Sequence, residues 1–107
     1  MAATPTADDL VGTWRVDLRP TPDAEPYYQE FVVEAVDGET LVGSFYGTLI
    51  ENARVNTDWS QVHFAFTTSD GSGVYSTSGV LVGAGLHGTT LSIGREFLAV
   101  WTAKWTE

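Results

Sequence analysis

Apolar and polar residues alternate along most of this chain. In segment 12–19, Trp14, Val16 and Leu18 are large and apolar, whereas the residues between them are polar or charged. A period of two places these sets on opposite faces of a β-strand. The first predicted element is therefore a half-buried strand that carries a tryptophan inward.

The same alternation recurs and predicts a series of short strands without convincing helical periodicity. The predicted strands cover residues 11–19, 27–36, 41–45, 48–56, 61–68, 74–82, 89–93 and 96–105. Asp37-Gly38 is typical of a tight hairpin turn, and the proline-rich segment 20–26 predicts a stiff loop. The fourth strand is expected to bend or bulge near Glu51-Asn52. Because closure of such a meander removes its edges, we expect an all-β fold, an eight-stranded antiparallel up-and-down β-barrel.

Strand parity also assigns an inside and an outside to each strand. On the second strand it places Phe31, Val33 and Ala35 inside, and Glu30 and Glu34 outside. The two carboxylates are therefore interpreted as a solvated row. The alternative, an internal like-charged pair with raised pKa values, is disfavoured because the opposite face is apolar.

Composition bounds the class of protein. The chain of 107 residues has room for one domain, predicted over residues 10–107 after a flexible acidic leader at 1–9. A net charge of −9 argues against nucleic acid and anionic membranes as partners. The chain contains no cysteine, so no disulfide and no thiolate metal site are expected. No signal peptide or transmembrane run is apparent, and a cytoplasmic location is expected.

Two motifs carry a resemblance to a known superfamily. Gly12-Thr13-Trp14 at the head of the first strand resembles the G-x-W signature of the calycin barrels, which include lipocalins, fatty-acid-binding proteins and avidins. The segment 37–45 is similar to the second hairpin of avidins, with one inserted residue. The resemblance implies a small barrel whose tryptophan plugs one end, with a basic residue, here Arg95 or Lys104, stacked over it.

The biotin chemistry of avidins is not expected here. Val16 and Pro20 stand where the resemblance implies hydroxyl or amide groups, and Phe45 stands where it implies a tyrosine. A buried polar ligand group without partners costs about 1–3 kcal/mol for each lost hydrogen bond. The resemblance therefore extends to the fold and not to the ligand.

Aromatic residues are the main candidates for a binding site. By parity most of them face inward, interleaved with small residues that could leave space for a ligand. The candidate ligand-binding residues are Trp14, Phe31, Phe45, Glu51, Phe64, Phe66, Tyr75 and Trp101. The alternative interpretation is that the small residues only accommodate bulky neighbours in a filled core.

These patterns lead to three functional hypotheses. The preferred one is non-catalytic binding of a small apolar or aromatic ligand in the lumen, with loop 20–26 as its rim. The second is a filled barrel that forms a homodimer or homotetramer through the outer face of the last strand, at Leu98 and Val100. The alternative is that segment 1–10 covers this face. The least favoured is an isomerase or cyclase that uses Glu51, or a tyrosine–glutamate pair, as general acid–base in the lumen.

No cofactor or metal site is expected from the sequence. His63 and His87 are the only histidines, and neither has a second histidine or a carboxylate motif at a ligand spacing. The hydroxyl-rich strands lack a nucleophile elbow, and the glycines form neither a dinucleotide-binding motif nor a P-loop. No catalytic residue is therefore assigned.

Overall fold

The computed structural model describes residues 5–106, and all strands in that range join one antiparallel sheet. A short 3-10 helix, Ala7–Leu10, precedes them. The strands are β1 (Gly12–Asp17), β2 (Tyr28–Asp37), β3 (Thr40–Phe45), β4 (Thr48–Leu49), β5 (Glu51–Asn56), β6 (Val62–Asp70), β7 (Gly73–Val82), β8 (Gly85–Ser92) and β9 (Phe97–Thr106). Their order in the sheet is β4-β3-β2-β1-β9-β8-β7-β6-β5. The first strand therefore pairs with the last, as the alternation predicts.

The sheet curls until its two edges meet, which makes a nearly closed barrel. At this seam, between β3 and β5, the Val55 N–H donates to the Glu39 carbonyl at 2.7 Å, and the Thr40 hydroxyl donates to the Ala53 carbonyl at 3.2 Å. These isolated bonds stand where a closed barrel would have a regular ladder. Most of the exposed edge is thereby removed, which lowers the risk of edge-to-edge association.

The described strands number nine rather than the expected eight, because the predicted fourth strand is divided. Ile50 separates β4 from β5: its side chain is buried, and its N–H continues the β3–β4 pairing by donating to the Gly43 carbonyl. Just beyond it, Asn52 has a φ of 56°, and the pairing with β6 shifts register between Glu51 and Arg54. The expected irregularity near Glu51-Asn52 is thus confirmed, and it lies within β5, just beyond the break at Ile50.

The barrel is plugged at the end where β1 begins. Leu10 and Trp14 are buried, and the Trp14 indole N–H donates to the Leu10 carbonyl at 2.9 Å. Trp105 packs edge-on against Trp14, with ring centroids 5.1 Å apart and an interplanar angle of 86°. A Cβ on Gly12 would lie 2.2 Å from the Trp105 ring, so only glycine fits beside it.

The residue that packs on Trp14 differs from the one the resemblance implies. It is Trp105, not Arg95 or Lys104. Lys104 is exposed opposite Arg15 in the β1–β9 ladder, and Arg95 lies in the turn between β8 and β9, at the other end of the barrel. An aromatic partner therefore fills the space that a basic side chain was expected to occupy.

The interior between the two ends is filled by aromatic rings. Their closest ring-centroid separations run from 5.5 Å to 6.2 Å. The buried rings that form this packed core are Phe31, Phe45, Phe64, Phe66 and Trp101. The lumen is thus occupied by side chains over most of its length.

The segment before the barrel packs into it. Leu10 belongs to the core and does not cover the outer face of β9, where Leu98 and Val100 are 59% and 67% exposed. Residues 1–4 of the predicted leader lie outside the described residues, and the flexibility of the leader stays a prediction. Within residues 5–106, no helix is both long and apolar enough to cross a membrane.

Candidate functional site

A cavity of about 310 Å³ opens at the end of the barrel opposite Trp14. It lies where β1, β3, β6 and β8 end and where β2, β7 and β9 begin. Side chains from these strand ends and from the turns between them form its wall. The lining residues are Leu18, Tyr27, Phe45, Tyr46, Thr48, Thr68, Asp70, Ser72, Tyr75, Thr90, Arg95, Phe97 and Ala99.

The floor of the cavity is the top of the packed core. Phe45, Thr68 and Thr90 are its buried members. The Thr90 hydroxyl accepts a hydrogen bond from the Trp101 indole N–H at 3.1 Å and lies 2.9 Å from the Thr77 hydroxyl. This network engages the Thr90 hydroxyl from the side of the core, so the floor of the cavity is tied to the packed rings beneath it.

Two tyrosines meet across the mouth of the cavity. The phenol hydroxyls of Tyr27 and Tyr46 are hydrogen-bonded to each other, and Gln29 also donates to the Tyr27 oxygen at 3.3 Å. The bond to Tyr27, together with burial, raises the pKa of the Tyr46 phenol above its usual range. The pair joins the start of β2 to the turn that follows β3.

Tyr46 adopts an unusual backbone conformation for a bulky residue. It forms a two-residue hairpin loop with Gly47, and both have positive φ, 56° and 74°. Loops of this type normally place asparagine, aspartate or glycine at the first position. A left-handed conformation costs a non-glycine residue about 1–2 kcal/mol. This strained conformation places an aromatic side chain at the mouth of the cavity. Backbone strain of this kind clusters at functional sites.

The structure separates the predicted site residues into three groups. Phe45 and Tyr75 line the cavity. The aromatic side chains packed in the core or at the plugged end are Trp14, Phe31, Phe64, Phe66 and Trp101. Glu51 is exposed on β5, where its carboxylate accepts a hydrogen bond from the Ser69 hydroxyl at 3.5 Å, and it does not line the cavity.

Several cavity residues were missed by the sequence reasoning. Tyr27, Tyr46 and Arg95 lie beside strands or in turns, where alternation no longer assigns a face. Leu18 and Phe97 share the inward parity of Trp14 and Trp101 but were not chosen as site residues. One local signal was available. The tyrosine of Tyr46-Gly47 stands in a short turn between two strand residues, where a small polar residue is usual.

A second, more polar depression of about 270 Å³ lies on the outer surface. One ion pair lies in it, Arg19 with Asp17 at 2.5 Å, and the Arg15 guanidinium lies 4.4 Å from the centroid of the Tyr28 ring. The Arg19 hydrogen bond lowers the pKa of Asp17 to about 2. The open end of the barrel has the larger volume and aromatic walls, and it is therefore the stronger candidate site for a small molecule.

The comparisons with known proteins leave the site to be interpreted from its own geometry. No model of a known protein family matches this chain, and no curated protein and no solved structure was found to match it. In the part of the chain that the structure describes, no three histidine, cysteine or acidic side chains come together as a metal-binding group.

Proposed function

We propose that this protein is a non-catalytic binder of a small aromatic molecule, which it holds in the cavity at the open end of the barrel. The observation that carries the proposal is the lining of that cavity. A volume of about 310 Å³ lies in the range of small-molecule sites, and aromatic walls with a few polar groups are typical of them.

The packed core limits the size of the ligand. Because Phe31, Phe64 and Phe66 fill the lumen below the floor, a ligand enters only the upper part of the barrel. A long acyl chain therefore has no space below the floor of the cavity. A one- or two-ring aromatic compound matches the available volume and the aromatic walls, on which it stacks edge-on or offset.

A matched pair of substitutions on β9 tests this proposal. Ala99 lines the cavity, whereas the neighbouring Val100 is on the outer face. We expect 2-naphthamide to bind the wild-type protein and the Val100→Leu variant, and to lose at least about tenfold in affinity with Ala99→Leu, because the added side chain occupies the cavity. Isothermal titration calorimetry gives the affinities, and thermal unfolding confirms that each variant is folded.

Two results would count against the proposal. One is the absence of any naphthamide binding by the wild-type protein. The other is binding that Ala99→Leu leaves unchanged while amide chemical shifts move on the outer face of β9 instead of at Thr68, Tyr75 and Thr90.

The calycin relation is part of the same proposal. It is supported by the nearly closed barrel and by the position of Gly12-Thr13-Trp14 at its plugged end, where Trp14 is 2% exposed. In this interpretation the plugged end is the shared feature, and the ligand chemistry at the open end is particular to this chain.

A second candidate function is self-association, and one observation favours it. Leu91 and Leu98 face each other on the outer surface of β8 and β9, and Val100 lies beside them. All three are substantially exposed, at 44%, 59% and 67%. We expect a dimer in light scattering that Val100→Glu dissociates; a wild-type monomer at high concentration would remove this candidate.

A further inference from the structure

Arg95 is the cationic member of the cavity lining, and Asp70 is the anionic one. Among residues 5–106 the ion pair present is Arg19–Asp17, so the Arg95 guanidinium has no carboxylate within 4.0 Å. Asp70 is engaged locally, since its Oδ1 accepts the backbone N–H of Ser72 at 2.7 Å. The positive charge at the mouth of the cavity is therefore available to a ligand.

The backbone that carries Arg95 is held in place from below. Its N–H donates to the hydroxyl of the buried Ser92 at 3.3 Å, and the Ile93 N–H donates to the Val74 carbonyl at 3.1 Å. Gly94 packs so closely that a Cβ there would lie 2.6 Å from the Ser72 carbonyl oxygen. The turn is thus anchored to its neighbour, and it keeps Arg95 at the rim.

The remaining cations of this acidic chain lie elsewhere. Arg15, Arg19 and Lys104 belong to the outer depression on β1 and β9. Arg54 is on β5, where its Nη1 donates to the Ala53 carbonyl at 2.7 Å. In a chain with a net charge of −9, an anion near the protein meets mostly repulsion, and the cavity mouth offers it one anchored cation.

A guanidinium at the rim of an aromatic cavity selects a particular chemistry. Its fixed fork of N–H donors matches the two oxygens of a carboxylate, and such charge-assisted bonds are about twice as strong as neutral ones. The Tyr27 and Tyr46 hydroxyls, at the same mouth, add polar groups on the side of the ligand that faces solvent.

We propose that the ligand of this cavity is a small aromatic carboxylate, with its ring between the tyrosine and phenylalanine side chains and its carboxylate on the Arg95 guanidinium. This inference rests on the ligand-binding function proposed above and assigns its specificity to Arg95. Arg95 acts here by direct contact with the ligand, and no covalent step is involved.

The test compares 2-naphthoate with 2-naphthamide, which share a ring system and differ in charge. We expect the wild-type protein to bind the naphthoate about tenfold more tightly, in line with a charge-assisted bond at a partly exposed site. Arg95→Met should lower naphthoate affinity more than naphthamide affinity and so abolish this preference, and Arg95→Lys should retain part of it. Arg54→Met removes a cation outside the cavity and is the matched control.

The outcomes separate the two proposals. If both compounds bind the wild-type protein equally and Arg95→Met changes neither affinity, the assignment of a carboxylate ligand is wrong while the aromatic cavity stands. If Arg54→Met reduces the preference as much as Arg95→Met does, general electrostatics explains it and the assignment is again wrong. If neither compound binds, both proposals are overturned together.

Discussion

At one end of the barrel Trp14 and Trp105 pack ring against ring over Leu10; at the other, Tyr27, Tyr46 and Phe97 stand about half exposed around a cavity. Both ends use aromatic side chains. At the first end the buried, hydrogen-bonded Trp14 indole closes the barrel beneath Trp105, whereas at the second end the rim rings surround an open cavity above the buried Trp101 indole. Burial of an aromatic side chain stabilises a fold, and exposure leaves the same surface free for a ligand. The difference indicates that stability is concentrated at the plugged end and recognition at the open end.

Removal of the plug should have the largest effect. Trp14→Ala deletes a buried ring and leaves the Leu10 carbonyl without its donor, so we expect a loss of about 3–5 kcal/mol in the free energy of unfolding. Trp59→Ala is the matched control, because Trp59 is 77% exposed. The control should change stability by less than about 0.5 kcal/mol in urea denaturation. Equal losses in the two variants would mean that the plug does not dominate stability.

Alanine substitution of two glycines, one at each end of the barrel, should give a smaller difference in the free energy of unfolding. Gly12→Ala combines a φ of 136° with a Cβ pressed into the Trp105 ring, and we expect it to cost about 2–4 kcal/mol. Gly47→Ala, in the open-end hairpin, has a φ of 74° and free space around its Cβ, and we expect about 1–2 kcal/mol. Thermal and urea unfolding measure both. A greater loss from Gly47→Ala would reverse the assigned roles of the two ends.

The tyrosine pair at the open end should matter little for stability at neutral pH. Tyr46→Phe removes one exposed hydrogen bond, for an expected loss of about 0.5 kcal/mol. Because folding raises the Tyr46 pKa above the ordinary value of 10.0, its contribution is complete below that pH and is lost as pH rises through the folded-state pKa. The wild-type unfolding temperature should therefore fall more steeply in alkali than that of Tyr46→Phe. Parallel curves would contradict the raised pKa.

The smallest effect is expected at Asp17, where β1 ends near the open mouth. The Arg19 hydrogen bond lowers its pKa to about 2 from 3.8. A depressed carboxyl pKa stabilises the fold above the unfolded-state value, and that contribution is lost as pH falls from about 3.8 toward 2. Asp17→Asn should therefore be slightly less stable than wild type at neutral pH, and this difference should shrink as pH falls below about 3.8 and disappear only below about 2. A difference that is independent of pH would exclude this linkage.

Local sequence patterns were enough to predict most strands, their inward faces and the pairing of the first strand with the last. Trp14 and Val16 on β1, and Phe64 and Phe66 on β6, face inward because side chains alternate along any extended chain, whatever surrounds it. The turn at Gly38, with a φ of 62°, follows from the conformations that glycine allows. The pairing of β1 with β9 follows from the need to remove sheet edges.

Where the alternation of apolar and polar residues is interrupted, the tertiary structure determines which way a side chain faces and where a strand ends. A register shift between Val33 and Ala35 turns Ala35 outward. The predicted fourth strand is divided at Ile50, where the strand pairing changes from β3 to β6. Both depend on the fit of a strand to its neighbour around a curved sheet. Such bulges set the curvature of a barrel, and they cannot be placed from a single strand's alternation.

Which part of the barrel is filled by side chains and which part is open also depends on the tertiary structure. The sequence supplies aromatic residues, and alternation sends them inward, but whether they touch depends on the width of the barrel and on which strands face each other across it. Phe31 and Phe66 are far apart in the chain, yet their ring centroids lie 5.5 Å apart. The cavity residues come from several separate turns, whose spatial proximity is a property of the closed sheet and not of any one segment.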